Sequence, residues 1–382
     1  NMETISDPYQ RYLFDDDSIF NVYNEESTNL TVGVPGPDLL QNCVEIMKKS
    51  HRSSLGKNLI HYALHYTLVG VRRYSDPVKR ENLILTCGAS HGLQLLLNTI
   101  LSPNGIIFVE EVTYMTALDA FGQFPLMKIV AVPMKNDMVD LDEFEKIIVE
   151  EKRNGNFLTN EQKIFWAMFY TIPTFHNPTG STLPPENCKR LVEIARKSSI
   201  LIACDDVYNL LYYGDGLPPH RLFCNDKQTD PEYKAGNIVS NGSFSKIFSP
   251  ALCFGWIECR ILCNGGTVNH YVSGVVTSLL QLNLQDNYLD KLTQIYKERL
   301  SILCNVLDYY LPRCCSYKRP EGGYFKKYKV SAIPGILFSY SGKYHNYLRL
   351  SISFHRKEVL ETATKSLCEA LLDYVRKNID YK

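Results

Sequence analysis

The chain has 382 residues, 45% hydrophobic and 21% charged, a globular composition too long for one ordinary core. Lysine plus arginine and aspartate plus glutamate each number 41, so the formal net charge is zero. That balance argues against a nucleic-acid protein, which would show a basic excess, and favours a small-molecule substrate.

The opening stretch SDPYQRYLFDDDS is polar and acidic, without a signal-peptide pattern, and residues 1 to about 31 read as an extended arm. No apolar run reaches the roughly 18 residues that a membrane span needs. From about residue 80, short apolar runs alternate with helical patterns. Seven runs read as strands: 82–87 (NLILTC), 106–110 (IIFVE), 128–134 (KIVAVPM), 164–171, 200–204, 237–240 and 253–259. Amphipathic stretches between them, such as 91–101 and 185–197, read as helices. Buried strands separated by helical connections predict an α/β sheet covered on both faces. From about residue 270 longer helical segments take over, including 286–311 and 359–377, with GGYFKKYKV and NYLRLSIS as short strands between them. A smaller α+β unit is expected there, sharing a face with the arm. Twelve cysteines are scattered without CxxC pairs, several inside apolar runs such as ILIACDD and SILCNVL. They read as reduced structural thiols in a cytoplasmic protein, with no metal, no membrane and no nucleic acid among its partners.

Four segments carry chemistry. GSFSK (Gly242 to Lys246) follows a strand; a lysine held among small hydroxyl residues at a strand end can lose its proton and attack an aldehyde. FHNPTG (Phe175 to Gly180) is good turn chemistry anywhere, or else it presents the Asn177 amide at the C-terminal edge of a strand, where open α/β sheets bind ligands. CDDVY (Cys204 to Tyr208) places two carboxylates after a buried run, where unpaired charge is costly; a helix N-terminus capped by Asp206 is the alternative. TCGASHG (Thr86 to Gly92) is a small-residue loop entering a helix, whose exposed N–H groups suit a phosphate.

Together with VEEVTY, these segments resemble the class I/II aminotransferases of the fold type I pyridoxal phosphate enzymes, in the branch of the 2-aminoadipate aminotransferases and MocR-related proteins. The segments stand in the family's order, and the interval from Asn177 to Asp205 is 28 residues, as the family also shows. The resemblance implies a mostly parallel seven-stranded sheet in a large pyridoxal phosphate-binding domain (36–268), with an N-terminal arm (1–35) joining a small domain (269–382). It assigns Lys246 as the Schiff-base lysine and proton shuttle, and Asp205 as the carboxylate on the pyridine nitrogen. Asn177 and Tyr208 match the pair on the ring's phenolic oxygen, and Tyr114 matches the aromatic on the ring face. Gly88, Ala89 and Ser90 match the phosphate cup, with Ser243 and Ser245 as further hydroxyl donors. Arg349, in YLRLS, matches the clamp on the substrate α-carboxylate, and Gly33 matches the backbone position near the substrate. Tyr66, in LHYTLVG, matches the tyrosine that reaches the neighbouring subunit's phosphate, which implies a homodimer.

One departure stands out. The family carries an arginine seven residues after the lysine, paired with the cofactor phosphate; in SKIFSPALCFGW that position is Cys253. Losing such a pair costs about 1.5–3 kcal/mol unless another cation compensates. Arg260 and His91 are the nearby candidates in sequence, and the VRRY after Gly70 is out of the family's register. The expected activity is transfer of an amino group from an amino acid to a 2-oxo acid, 2-oxoglutarate being the expected acceptor. The same lysine and carboxylate would also serve a lyase or β-elimination, and Cys253 leaves open a degenerate, non-catalytic binding protein.

Overall fold

The computed structural model describes residues 28, 30–54, 82–215, 218–234, 236–259, 269–323, 325–328 and 333–378. The arm before residue 28, Tyr66, the VRRY segment and Arg260 lie outside the described residues.

All seven expected strands form, and they join one sheet. In chain order they are β1 (Leu83–Thr86), β2 (Leu101–Glu110), β3 (Lys128–Val132), β6 (Phe165–Thr171), β7 (Leu201–Asp205), β8 (Ile238–Ser243) and β9 (Gly255–Glu258). Between β3 and β6 a short hairpin, β4 (Met134–Lys135) and β5 (Met138–Val139), turns through Asn136 and Asp137, both at positive φ. Pro133 separates β3 from that hairpin, so the expected strand 128–134 stops at Val132. The sheet order is β1-β9-β8-β7-β6-β2-β3, with β9 alone running against the rest.

β6 reads FWAMFYT and is buried along its whole length, the pattern of a strand covered on both faces. Alternation sorts its side chains: Met168 and Tyr170 join one core, Ala167 and Phe169 the other. The second core is closed by α4 (Leu141–Asn154) and α5 (Pro185–Ser198), through Phe144, Ile148, Leu191, Val192 and Ala195. The first takes α2 (Ala89–Thr99) and α3 (Met115–Phe121), through Leu93, Leu96, Leu97, Ala117 and Phe121. Each such fully buried leucine or phenylalanine contributes about 1.5–3 kcal/mol.

The long helix α7 (Leu284–Tyr310) extends the first core with Leu289, Leu292, Tyr296, Leu300, Leu303 and Leu307, spaced three or four apart. It packs against α8 (Lys357–Asn378), and α6 (His270–Gln281) packs against α1 (Pro37–Ser54). A second sheet orders β10 (Phe325–Tyr328), β12 (Leu348–Ser351) and β11 (Ile333–Pro334), all antiparallel. Residues 30–36 run beside it: the Ser351 N–H donates to the Leu30 carbonyl at 2.7 Å, and the Gly36 N–H to that of Ser353 at 3.2 Å. Among the described residues no helix is long and apolar enough to cross a membrane.

Candidate active site

The C-terminal ends of β1, β2, β6, β7 and β8 share one edge of the sheet, and a cavity of about 310 Å³ opens there. Its wall contains Gly88, Ala89, Ser90, Tyr114, Asn177, Asp205, Tyr208, Ser243, Ser245, Lys246 and Cys253. Segments scattered over more than 160 positions of sequence therefore converge on one space.

At one end, β1 runs into Cys87 and Gly88 and then directly into α2. Gly88 sits at φ 92°, a conformation that side chains resist, and no side chain caps the helix. The first-turn N–H groups of α2 are thus left for a ligand. Gly255 on β9 makes room for this loop: a Cβ there would lie 2.9 Å from the Gly88 Cα. The Asn241 side-chain amide donates to the Ala89 carbonyl at 2.8 Å and fixes the start of the helix. The Ser243 and Ser245 hydroxyls bond each other at 2.8 Å, and the Ser245 N–H donates to Ser243 Oγ at 3.1 Å. Cys253 follows a short 3-10 turn, at φ 44°, with an exposed thiol. His91 Nδ1 accepts the Cys87 N–H at 3.0 Å, so that nitrogen is committed to the loop.

The opposite end is charged. Asp205 is the last residue of β7, and its Oδ2 accepts the Tyr170 hydroxyl at 2.7 Å. Its Oδ1 is buried and has no hydrogen-bond partner among the described residues. Burial pushes the Asp205 carboxyl up to about 6, against the Tyr170 hydrogen bond, which pulls it down. Asp206 points elsewhere: it accepts the Ser240 hydroxyl, beside the buried pair of Arg221 Nη1 and Glu258 Oε2 at 2.6 Å. No helix follows it among the described residues, so it is not a helix cap.

Lys246 stands in the turn after β8, and its ammonium donates to the Gly33 carbonyl at 2.6 Å. Burial lowers its pKa to about 8; Arg349 adds to the depression and Asp205 opposes it. Arg349, on β12, and Gly33 lie beside the wall rather than in it. Arg349 donates from Nη1 to Asn177 Oδ1 at 3.1 Å and from Nη2 to the Thr31 carbonyl, over the Phe338 ring at 4.8 Å. It is 3% exposed, and burial lowers its pKa to about 10, leaving it a cation at neutral pH. Tyr208 and Tyr114 are pushed up by burial, so both stay neutral phenols.

The sequence motifs left out Tyr170, Asn241, Thr31 and Phe338. Counting back by twos from Ser243 along its strand reaches Asn241, which a period-two reading could have found. Tyr170 shares the site-facing side of β6 with Met168, but nothing in FWAMFYT singles it out before the strand register is known.

The residues fit pyridoxal phosphate: a carboxylate with one open oxygen for the ring nitrogen, a lysine of lowered pKa, and a helix start with open N–H groups. Among the described residues no group of three or more His, Cys, Asp or Glu side chains could hold a metal ion.

Comparison with known proteins agrees. Residues 26–258 match the family Aminotransferase class I and II. An uncharacterized aminotransferase of Saccharolobus solfataricus is 27% identical, over 90% of this chain and 91% of its own. A 2-aminoadipate transaminase of Thermus thermophilus is 26% identical, over 77% of this chain and 76% of its own. Among solved structures, the multiple substrate aminotransferase of Thermococcus profundus superimposes with a TM-score of 0.77 at 20% identity, over 93% of this chain and 94% of that one. The chain belongs to the class I and II aminotransferases and is a pyridoxal phosphate enzyme of fold type I.

Proposed function

We propose that the chain moves an amino group from an amino acid to a 2-oxo acid, with 2-oxoglutarate as acceptor and Lys246 as the residue that holds the cofactor covalently. The observation that carries this is the meeting of Lys246, Asp205 and the Asn177–Arg349 pair at one strand edge. When bound, pyridoxal phosphate supplies an aldehyde for the amino group and a sink for the electrons released at the substrate Cα.

The chain's own residues divide the remaining work. Asp205 Oδ1 takes the ring N–H, and as a carboxylate it keeps that nitrogen protonated. Asn177 and Tyr208 bind the ring's phenolic oxygen, and Tyr114 covers one ring face. Gly88, Ala89 and Ser90 hold the phosphate through helix-start N–H groups, with the Ser243 and Ser245 hydroxyls beside them. Arg349 binds the substrate α-carboxylate through its planar fork, which sets the Cα where Lys246 can reach its proton. A lysine with pKa about 8 is suited to this, since it gains and loses a proton near neutral pH. The Gly33 carbonyl holds the lysine amine ready on the substrate side.

The same reading includes a homodimer in which Tyr66 of one chain serves the phosphate of the other, by resemblance. It also includes a cytoplasmic setting, consistent with the free cysteines of the described residues.

The test is the absorption spectrum after addition of pyridoxal phosphate, with Lys246→Ala beside the wild type. A visible or near-ultraviolet band that depends on Lys246, and that bleaches on adding amino acids, is expected. A band unchanged by the substitution would remove Lys246 from its role.

A further inference from the structure

Asp205 has two carboxylate oxygens and the cofactor ring has one nitrogen, so something must decide which oxygen meets it. The sheet register supplies the answer. β6 and β7 are parallel, with Tyr170 opposite Ala203. Two residues further along β7, on the same face, comes Asp205. A shorter side chain at position 170 would stop at Ala203, but the tyrosine ring spans the diagonal and its hydroxyl reaches Asp205 Oδ2 at 2.7 Å. The ring is held in turn: Tyr170 is 1% exposed and stacks edge-on against Phe121, with centroids 5.4 Å apart.

We propose, resting on the function above, that Tyr170 is a positioning residue that occupies one oxygen of Asp205, presents the other to the cofactor's ring nitrogen and holds the group as a carboxylate. Burial keeps the phenol protonated, and an ionised carboxylate can only accept, so the Tyr170 hydroxyl donates in this bond. It is a fixed donor.

The surroundings make the donor necessary. Burial and the neighbouring Asp206 both disfavour charge on Asp205, and the neutral Tyr114, Tyr208 and Cys204 offer it no cation. Lys246 also favours the charged form, through space and without a hydrogen bond to the carboxylate. Tyr170 is the hydrogen-bond donor that stabilises it in direct contact. Removing it raises the Asp205 pKa, so the carboxylate is lost at a higher pH than in the wild type.

The experiment measures the dissociation constant of pyridoxal phosphate by absorbance titration between pH 5 and about 8, on wild type, Tyr170→Phe, Asp205→Asn and the double variant. Phenylalanine keeps the ring and removes only the hydroxyl. Affinity in the wild type is expected to fall as Asp205 is protonated, near pH 6. In Tyr170→Phe that midpoint moves up by about one pH unit, a tenfold weaker affinity on the acid side. The limb that persists in Asp205→Asn belongs to the phosphate and to Lys246, whose pKa lies at about 8, and adding Tyr170→Phe to it changes nothing. A midpoint unmoved by Tyr170→Phe, or an equal shift with Asp205→Asn already present, overturns the proposal. Should Tyr170→Phe not fold, 3-fluorotyrosine at position 170, a stronger donor, moves the midpoint down; an unmoved midpoint overturns the proposal equally. No cofactor band in the wild type overturns the proposed function itself, and is thereby distinct from a failure of Tyr170 alone.

Discussion

The two ends of the cavity are built by different means. The proposed ring end uses side chains, nearly all buried: Asp205 and its Tyr170 partner at the ends of β7 and β6, Tyr208 and Asn177 in the segments after those strands and, behind Asn177, Arg349 on β12. The proposed phosphate end uses mostly backbone: a glycine at φ 92°, an uncapped helix start and a pair of serines, with Cys253 where the family carries an arginine. Charge is thus concentrated where the chemistry needs discrimination. Among the described residues the proposed phosphate end offers only dipoles and hydroxyls, which bind without choosing among substrates. Substitutions that tilt charge from one end to the other are therefore the sharpest probes of the site.

The largest effect is expected at Arg349. In its proposed role Arg349 gives the substrate carboxylate two charge-assisted hydrogen bonds, each roughly 1.5 kcal/mol, so in Arg349→Ala kcat/KM should fall at least about 100-fold. The cofactor band should survive, because Arg349 lies beside the cavity wall rather than in it. Turnover of a simple amine lacking the carboxylate should be unaffected by the change. An equal loss on acid and amine would show that the guanidinium serves the fold, by way of Thr31 and Asn177, rather than the substrate.

Cys253→Arg adds to the phosphate end the cation that the family has. Position 253 already adopts φ 44° with an exposed side chain, so the larger residue needs no new backbone conformation. Cofactor affinity should tighten about 10- to 100-fold, most strongly at low ionic strength. An unchanged dissociation constant would mean that residues outside the described ones already bring a cation to the phosphate. The contrast between the two ends would then shrink.

The same division decides what the sequence reveals. The seven strands were legible because each is an apolar run bounded by polar or turn residues, and β6 is apolar up to Thr171. Their boundaries were less so: β2 begins at Leu101, five residues before its regular parallel pairing at Ile106, and β3 ends at Val132, before Pro133. Lys246, Asp205 and Asn177 stand in short local motifs and could be named from them. The choice between Asp205 and Asp206 rested on resemblance alone, and the structure supplies a reason. One carboxylate caps a strand and faces the cavity, while the next falls on the opposite face beside Ser240. Tyr170 was illegible because its role depends on a diagonal across two strands joined by a helix. The Gly33 and Thr31 carbonyls were illegible because a backbone acceptor carries no residue-type signal.

The smallest expected effect concerns how the two ends are tied to the β12 side of the site, and it starts from the glutamates in VEEVTY. Glu110 faces one way and shares a 2.9 Å hydrogen bond with His176, just before Asn177. Glu111 faces the other way, and its Oε1 accepts from the Ser339 hydroxyl at 2.7 Å, the Ser341 hydroxyl at 2.6 Å and the Ser341 N–H at 3.2 Å. Those serines follow directly on Phe338, whose ring lies under Arg349. Neighbouring carboxylates on one strand end thus brace the two partners of the Asn177–Arg349 contact from opposite sides. Glu111→Gln keeps an acceptor but gives up the charge, which roughly halves the strength of each bond. The Ser339–Ser341 loop should loosen, and KM for the amino acid should rise about threefold, equivalent to less than about 1 kcal/mol. kcat and the cofactor's dissociation constant should hold, since Glu111 touches neither the ring pocket nor the phosphate cup. Steady-state kinetics on one donor would decide it: a fall in kcat at constant KM would mean that the brace acts on the ring end, through β2 and Tyr114, and not on the carboxylate clamp.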